Sequence, residues 1–375
     1  MSDPKKNLPK DERDELRSSV SRPQSGASSA LLDLQNELSQ RRSQLQSTLT
    51  RANLDSQAAE IEAITTSLQS LPARIAELQK RGYRYGAHWG ERQAGLTQTW
   101  NTARPPILAR LNERRQQLRS YGEQLSLKLN RTGNVSALPA LDSELSTLET
   151  MVREAEQAIS AMYTPLQDDL RALVRELDIA EAALEAFATA TFPALPDETP
   201  IAVVEARWLT QKDEGPRGLL IITNARLLFE QREKVATKKV LFITTAAEEV
   251  KKLLWQFPIG ALQEVTTQDK SGFLSHQELL ILRAEFRDLP PTITLKLEGG
   301  ARNEEWAQRI EMVRTGQIAA FAPPGAQPTV ADTIAYENAP TQCPRCGGKL
   351  PPVYKGMTQL TCEYCGTVVP LPRRS

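Results

Sequence analysis

Cysteine is scarce in this sequence, and its distribution is uneven. The chain has 4 cysteines among 375 residues, and all of them fall between positions 343 and 365. A small secreted domain that relies on disulfides usually carries its cysteines throughout its length. The grouping therefore favours a metal site in a reducing compartment over a disulfide framework.

Net charge and long apolar runs are also absent. Lys and Arg number 46, and Asp and Glu also number 46, so no general attraction to nucleic acid or to an anionic membrane is expected. No apolar run reaches the length that spans a bilayer, and residues 1–19 lack the apolar core of a secretory signal. We expect a cytoplasmic protein, with peripheral contact to a membrane left open.

The residue types that build most active sites are few. The two histidines, His88 and His276, lie far apart, and no cysteine lies outside the C-terminal group. The sequence contains no G-x-x-x-x-G-K-[ST] phosphate loop. These gaps argue against the common arrangements for nucleophilic catalysis and phosphoryl transfer, and they predict that the protein is not an enzyme.

Two seams of apolar residues dominate the first half of the chain. Residues 1–26, rich in charged residues, Ser and Pro, predict a disordered tail. Residues 27–192 are mostly types that cost little in a helix, and their apolar positions step by three and four as in a coiled coil. The region is therefore predicted to be a self-associating coiled coil or a folded-back helical bundle. The seams are Leu54, Ile61, Ile64, Leu68, Leu71, Ile75 and Leu78, and then Leu141, Leu145, Leu148, Val152, Ala155, Ile159, Met162, Leu166, Leu170, Leu173, Leu177, Ala180 and Leu184.

Prolines and glycines mark the predicted breaks in these helices. Pro72 is expected to kink the first seam, and Pro105 with Pro106 and the turn around Gly133 predict hairpin turns or kinks. Two consecutive steps of four at Leu166 form a stutter that locally unwinds a supercoil.

The stretch 82–100 is unusual because glycines recur every four residues beside Tyr83, Tyr85, Trp89 and Trp100. Two interpretations stay open: a packing contact between helices of a bundle, or an aromatic docking site for a partner. His88 lies in the same stretch, but no second ligand is near it in the sequence, so it is assigned no role.

After Pro193 the pattern becomes that of β-strands. Apolar and β-branched segments predict strands over 201–204, 219–222, 227–229, 240–243, 279–282 and 292–297. Residues 303–313 predict an amphipathic helix that Asn303 caps and whose apolar face is Trp306, Ile310 and Val313.

This order of strands closed by one helix, over residues 195–317, resembles the PH-like fold and in particular the GRAM and bacterial PH-like families. The resemblance rests on the strand-turn-strand segment 218–229 and on segment 257–265. It implies a half-open β-barrel with a C-terminal helix that docks on a protein or a membrane. The insertion 237–252 is longer than those families lead one to expect.

A cluster of lysines accompanies that insertion. Lys234, Lys238, Lys239, Lys251 and Lys252 lie on either side of a predicted strand. They suit either contact with a lipid headgroup or an ordinary solvated surface, because acidic residues elsewhere in the segment offset their charge.

The C-terminal segment carries the clearest chemistry. Residues 318–340 form a Pro/Ala/Thr linker, and residues 341–371 contain Cys343-x-x-Cys346-Gly and Cys362-x-x-Cys365-Gly. Two such turns direct four sulfurs at one ion, and the spacing between them suits zinc. So short a segment cannot bury an adequate core, so the metal is expected to supply on the order of 10 kcal/mol of its folding free energy. The segment resembles the zinc ribbons of bacterial proteins and transcription factors.

Alternatives to zinc are a redox-active pair of thiols and an iron site. Thioredoxin-like thiols lie at the start of a helix in an α/β unit, which this sequence does not predict. Four protein ligands leave no position for a catalytic water, so one structural zinc ion bound by Cys343, Cys346, Cys362 and Cys365 is predicted.

The predicted architecture is multidomain: a coiled coil or helical bundle, then a PH-like β-barrel with a C-terminal helix, then a small zinc ribbon. It predicts a non-enzymatic adaptor or scaffold that binds protein partners and associates with itself through the coiled coil. The alternative function is a regulator whose ribbon contacts DNA or RNA, although the ribbon has little net positive charge for it.

Overall fold

The computed structural model describes most of the chain and divides it into two compact units. One unit contains residues 1–67 and 97–168, and the other contains residues 68–96 and 169–375. The predicted tail lies largely outside the described residues, as does most of the predicted linker. The structure describes residues 24–195, 197–211, 214–240, 243–271, 276–284, 289–323, 340–345, 347, 350, 353, 357, 359–362 and 365–371.

Four long helices precede the first strand, as the composition of this region predicts. They are α1 (Gln24–Ala52), α2 (Asp55–Lys80), α3 (Trp89–Arg131) and α4 (Leu138–Ala188). Neither Pro72 nor Pro105 and Pro106 ends its helix. The chain leaves the helix at 53–54, 81–88 and 132–137 instead. The free energy gained by burying flanking residues such as Ile107 offsets the cost of the hydrogen bonds that the prolines remove.

In the first unit, polar contacts fix the directions of the helices. Arg41 contacts Asp142 at 2.8 Å and Arg51 contacts Glu156 at 2.7 Å, so α1 runs parallel to the start of α4. Because Arg115 contacts Asp55 whereas the earlier Arg104 contacts the later Glu62, α3 runs antiparallel to α2 here. The helices form a folded-back bundle.

The predicted seams are buried inside a single chain. All residues of the first seam are at most 6% exposed, and most of the second seam is equally buried. Met162 is an exception at 41% exposure, because Tyr163 takes the core position and donates to Glu60 at 2.8 Å. The second exception is Leu184, which is half-buried beside the fully buried Ala183. Self-association is therefore not needed to cover the seams, and it stays a prediction.

Seven antiparallel strands form the sheet of the second unit, in the order β4-β3-β2-β1-β7-β6-β5. Strand β1 pairs with β2 along most of its length and with β7 only at 206–208, so it joins the two halves of the sheet. A helix, α5 (Asn303–Arg314), follows the last strand. The strands are β1 (Pro200–Trp208), β2 (Arg217–Thr223), β3 (Arg226–Val240), β4 (Ile243–Pro258), β5 (Leu262–Ser271), β6 (His276–Ala284) and β7 (Thr292–Leu297).

The insertion 237–252 lengthens one hairpin. Strands β3 and β4 pair from Arg226 opposite Pro258 to Val240 opposite Ile243, whereas β2 pairs with β3 only as far as Gln231. The segment 240–243, predicted as one strand, is divided between two strands: Val240 ends β3 and Ile243 begins β4, and residues 241–242 lie outside the described part. A short apolar segment gives no sign of such a division, which explains the error.

A buried ion pair fastens the segment between α4 and β1 to the sheet. Arg226 donates from Nε and Nη2 to the two carboxylate oxygens of Glu198, each at 2.9 Å. The same carboxylate accepts from the Thr223 hydroxyl and from the Leu195 amide, each at 2.8 Å. Arg226 also donates to the Pro193 carbonyl at 2.7 Å.

Helix α5 packs through the three apolar residues predicted for its face, Trp306, Ile310 and Val313, which are all buried. The predicted cap is wrong: Arg302 holds the N-cap position, and the buried Asn303 side chain donates to Asp269 at 2.6 Å and to the Leu279 carbonyl at 3.2 Å. Asn303 thus attaches the helix to β5 and β6.

The predicted linker 318–340 begins with ordered structure. Residues Gln317–Phe321 form a 3-10 helix, and the Phe321 carbonyl accepts from the Ala87 amide at 2.9 Å. Ring contact between Phe321 and His88 gives this segment a packing partner that its composition did not reveal. Among the described residues, no helix combines the length and apolarity needed to cross a membrane.

Candidate metal centre

The second cysteine pair lies in the loop of a short hairpin. Strands β8 (Gln359–Thr361) and β9 (Val368–Pro370) pair with Leu360 opposite Val369. Within the loop, the Cys362 amide donates to the Thr367 carbonyl, and the Gly366 amide donates back to the Cys362 carbonyl, both at 2.9 Å. Gly366 has a φ of 68°, a left-handed conformation that glycine adopts at little cost.

The backbone at Cys343 and Gly347 has the same local geometry. The Gly347 amide donates to the Cys343 carbonyl at 2.9 Å, and Gly347 has a φ of 70°. In both loops a left-handed glycine, four positions after the first cysteine, closes a tight turn. This is the backbone reason for the C-x-x-C-G pattern in the sequence.

Three sulfurs converge between the two loops. The Sγ atoms of Cys343, Cys362 and Cys365 all lie within 4.8 Å of one another, and those of Cys343 and Cys365 are 3.7 Å apart. A disulfide requires about 2.05 Å, whereas a tetrahedral zinc ion with Zn–S bonds of about 2.3 Å separates its sulfurs by about 3.75 Å. The spacing fits a shared metal ion and excludes a disulfide between Cys343 and Cys365.

Cys346 lies outside the described residues, so the structure brings together three of the four predicted ligands, and the set of four stays a prediction. Two of the three, Cys343 and Cys362, are buried, and Cys365 is exposed. Cys365 Sγ lies 3.1 Å from Thr367 Oγ1, within hydrogen-bond distance.

The apolar core around the sulfurs is very small. Among the described residues, Cys343 and Cys362 pack with four other buried residues: Leu350, Leu360, Val369 and Leu371. Such a core offsets little of the entropy of ordering a chain segment, which agrees with the prediction that a bound ion stabilises it. Thiolate ligands suit a soft or borderline ion such as zinc.

The environment of the cysteines does not match the redox alternative. The described residues of the segment 340–371 contain β-strands and loops but no helix whose N-terminus would stabilise a reactive thiolate.

The lysine cluster in the sheet is a separate feature: Lys251 and Lys252 are exposed and pair with Arg232 and Gln231 across the β3–β4 hairpin. The side chains of the other three lysines lie outside the described part.

The tyrosine and tryptophan side chains of the stretch 82–100 are buried. Tyr83, Tyr85, Trp89 and Trp100 are all at most 7% exposed, which favours the packing interpretation. The Tyr83 hydroxyl donates to the Ile201 carbonyl at 2.9 Å, and burial raises the pKa of Tyr83.

Sequence reasoning missed the polar cluster beside these aromatics. Glu176 on α4 lies 3.1 Å from His88 Nε2, 3.0 Å from Trp89 Nε1 and 2.6 Å from Arg92. Burial by itself raises the pKa of Glu176, but the hydrogen bonds from Trp89, Arg92 and His88 outweigh it, so the net pKa is lowered. No local motif signals this cluster, because Glu176 lies far along the chain from its partners.

No protein-family model and no curated protein matches the chain. Among solved structures, the Vps36 N-terminal PH domain is similar to 35% of this chain over 89% of its own length, with 16% identity and a TM-score of 0.22. The DH/PH domains of PDZ-RhoGEF, in complex with activated RhoA, align over 74% of this chain and 95% of their own, with 12% identity and a TM-score of 0.22. Those of p115-RhoGEF align over 74% and 98%, with 10% identity and a TM-score of 0.22. TM-scores of this size do not establish a common fold, so the architecture rests on the strand order and on the helix that follows it.

Proposed function

We propose that this protein is a non-enzymatic adaptor in which a structural zinc ribbon and a PH-like module, carried by a helical bundle, each bind a partner. The observation that carries the proposal is the 3.7 Å separation of the Cys343 and Cys365 sulfurs, with Cys362 in the same cluster. With Cys346 as the fourth ligand, a zinc ion there has no open coordination position and supplies stability rather than chemistry.

The PH-like assignment is supported by the sheet order and by α5. Seven antiparallel strands with β1 shared between the two halves, followed by one helix, form the arrangement that the resemblance implies. We propose that this module docks on a protein, with peripheral membrane contact as a further role for the exposed lysines of its long hairpin.

The predicted linker 318–340 joins the two binding modules on one chain. Two weak contacts on one chain combine into a tighter one, because the second binding event takes place at a raised local concentration. The proposal therefore needs modest affinity from each module and does not require an enclosed active site.

A comparison of the full chain with its Cys362→Ser variant tests the proposal. Both proteins are used to capture partners from a cytoplasmic extract, and the captured proteins are quantified. The proposal predicts a defined set of partners in near-stoichiometric amount, of which the variant loses the ribbon-dependent subset and retains the rest. Equal capture by both proteins, or no specific capture by either, contradicts it.

The same two proteins distinguish an adaptor from a nucleic-acid regulator. If the ribbon contacts phosphates, the full chain retards a duplex DNA or RNA in a gel, and retention falls steeply as salt rises. The adaptor proposal predicts no retention at 150 mM salt, which is about physiological ionic strength.

A further inference from the structure

The second unit contains a cleft whose lining residues belong neither to the ribbon nor to the lysine cluster. The cleft has a volume of about 460 Å³ and lies among the loop 82–88, helices α3, α4 and α5, and the 3-10 helix Gln317–Phe321. Its volume is within the range of about 300–1,000 Å³ that holds small organic molecules. We name it the aromatic-arginine cleft, because aromatic and arginine side chains line it.

Contacts with neighbouring residues fix the aromatic side chains of the lining. The Tyr83 and Trp89 rings stack with centroids 5.2 Å apart and planes 10° apart. Their polar atoms are engaged elsewhere, since the Tyr83 hydroxyl donates to the Ile201 carbonyl and Trp89 Nε1 donates to Glu176. Phe321 lies 4.6 Å from the His88 ring and adds a further aromatic side chain to the lining.

Positive charge remains unneutralised in the cleft. Three arginines and two glutamates line it, and Glu176 is already paired with Arg92 at 2.6 Å. Within the part of the chain that the structure describes, neither Arg175 nor Arg309 forms an ion pair. Arg309 lies 5.5 Å above the Trp306 ring, which limits the positions that its guanidinium occupies.

We propose that the aromatic-arginine cleft binds a small organic anion with an aromatic or aliphatic body, such as a carboxylate or sulfonate. Arg175 and Arg309 supply the forked donors that match such an anion. The half-buried side chains of Met312, Ile318 and Phe321 supply apolar surface for its body. The site is separate from the proposed ribbon, so either inference can fail without the other.

The test uses two dyes that differ in one charged group. The anion 8-anilinonaphthalene-1-sulfonate and its neutral counterpart N-phenyl-1-naphthylamine are titrated separately into the full chain, and fluorescence and calorimetry give affinity and stoichiometry. The same titrations are run on Arg175→Gln, Arg309→Gln and the control Arg283→Gln. Arg283 is an exposed arginine on β6 that does not line the cleft.

The proposal predicts saturable binding of the sulfonate at one site per chain, about tenfold weaker in Arg175→Gln or Arg309→Gln. Binding of the neutral dye changes little in either variant, and Arg283→Gln behaves as the unaltered chain. Arg175 is exposed, so its replacement preserves the fold even if Arg309→Gln disturbs Trp306. Absent or unsaturable binding of the sulfonate overturns the proposal. Equal affinity of Arg175→Gln and the unaltered chain for the sulfonate also overturns it.

Discussion

Replacing Arg226 by Met is expected to be among the most damaging single changes in the sheet. The Glu198 side chain is fully buried and accepts four hydrogen bonds, two of them from Arg226. Met has a similar shape but no charge, so the carboxylate keeps only the donors of Thr223 and Leu195. Breaking a buried pair from one side costs about 3–5 kcal/mol, because the remaining charge is left uncompensated.

Urea denaturation at pH 7, followed by tryptophan fluorescence, measures this cost. Trp208 and Trp255 pack against Phe229 and report on the sheet. Hydrogen exchange of the β2 and β3 amides assigns the loss of stability to this region. The matched control is Arg283→Met, whose ion pair with Glu264 is exposed on both sides and is worth less than about 1 kcal/mol.

A double variant distinguishes a buried ion pair from ordinary packing. Arg226→Met combined with Glu198→Leu removes both charges, so its cost should be smaller than the sum of the two single costs by about 1–3 kcal/mol. The reasoning is refuted if Arg226→Met lies within about 1 kcal/mol of the unaltered chain, or if the two single costs simply add.

Three further changes test other parts of the structure. The pKa of Glu176 in the folded chain is below the usual carboxyl value of 4.5, so its ionised form stabilises the fold above that pH, and this stability is lost as the pH falls through the folded pKa. Glu176→Gln should therefore lose less stability than the unaltered chain between pH 6 and pH 3 in urea titrations. A Cβ atom at Gly218 would lie 2.1 Å from the Glu230 carbonyl oxygen, so Gly218→Ala should destabilise the fold by about 1–3 kcal/mol in the same assay. The control is Gly90→Ala, whose Cβ atom meets open space and should not destabilise the fold. Size-exclusion chromatography with light scattering checks the predicted self-association, and a strict monomer at micromolar concentration contradicts it.

The spacing of apolar residues predicted the helices and most strands, because the buried side chains lie at the positions that this spacing marks. Leu148 and Val152 on α4 and Ile221 on β2 are fully buried where the pattern places them. The predicted stutter at Leu166 is wrong: Tyr163 is buried in place of Met162, so the two consecutive steps of four fall at Ile159. The Tyr163 hydroxyl donates to Glu60, a contact that the local sequence does not reveal. Helix α3 continues through Pro105 and Pro106, so no hairpin turn lies there, and the predicted kink stays a prediction.

Contacts between distant segments account for the remaining errors. Asn303 has the side chain of a good N-cap, but Asp269 and the Leu279 carbonyl, which lie on other strands, capture it. The aromatic-arginine cleft has no local motif for the same reason. The cysteine cluster could be predicted, since the C-x-x-C-G turn is a local geometry that two glycines specify.

The central claim is that the clustered cysteines hold one zinc ion, and metal analysis of the full chain tests it most directly. The protein is purified without chelators, dialysed, and measured by plasma mass spectrometry beside a Cys343→Ser, Cys362→Ser double variant. The account predicts one zinc ion per unaltered chain and almost none in the double variant. An unaltered chain that contains no zinc, or a double variant that retains it, contradicts the account.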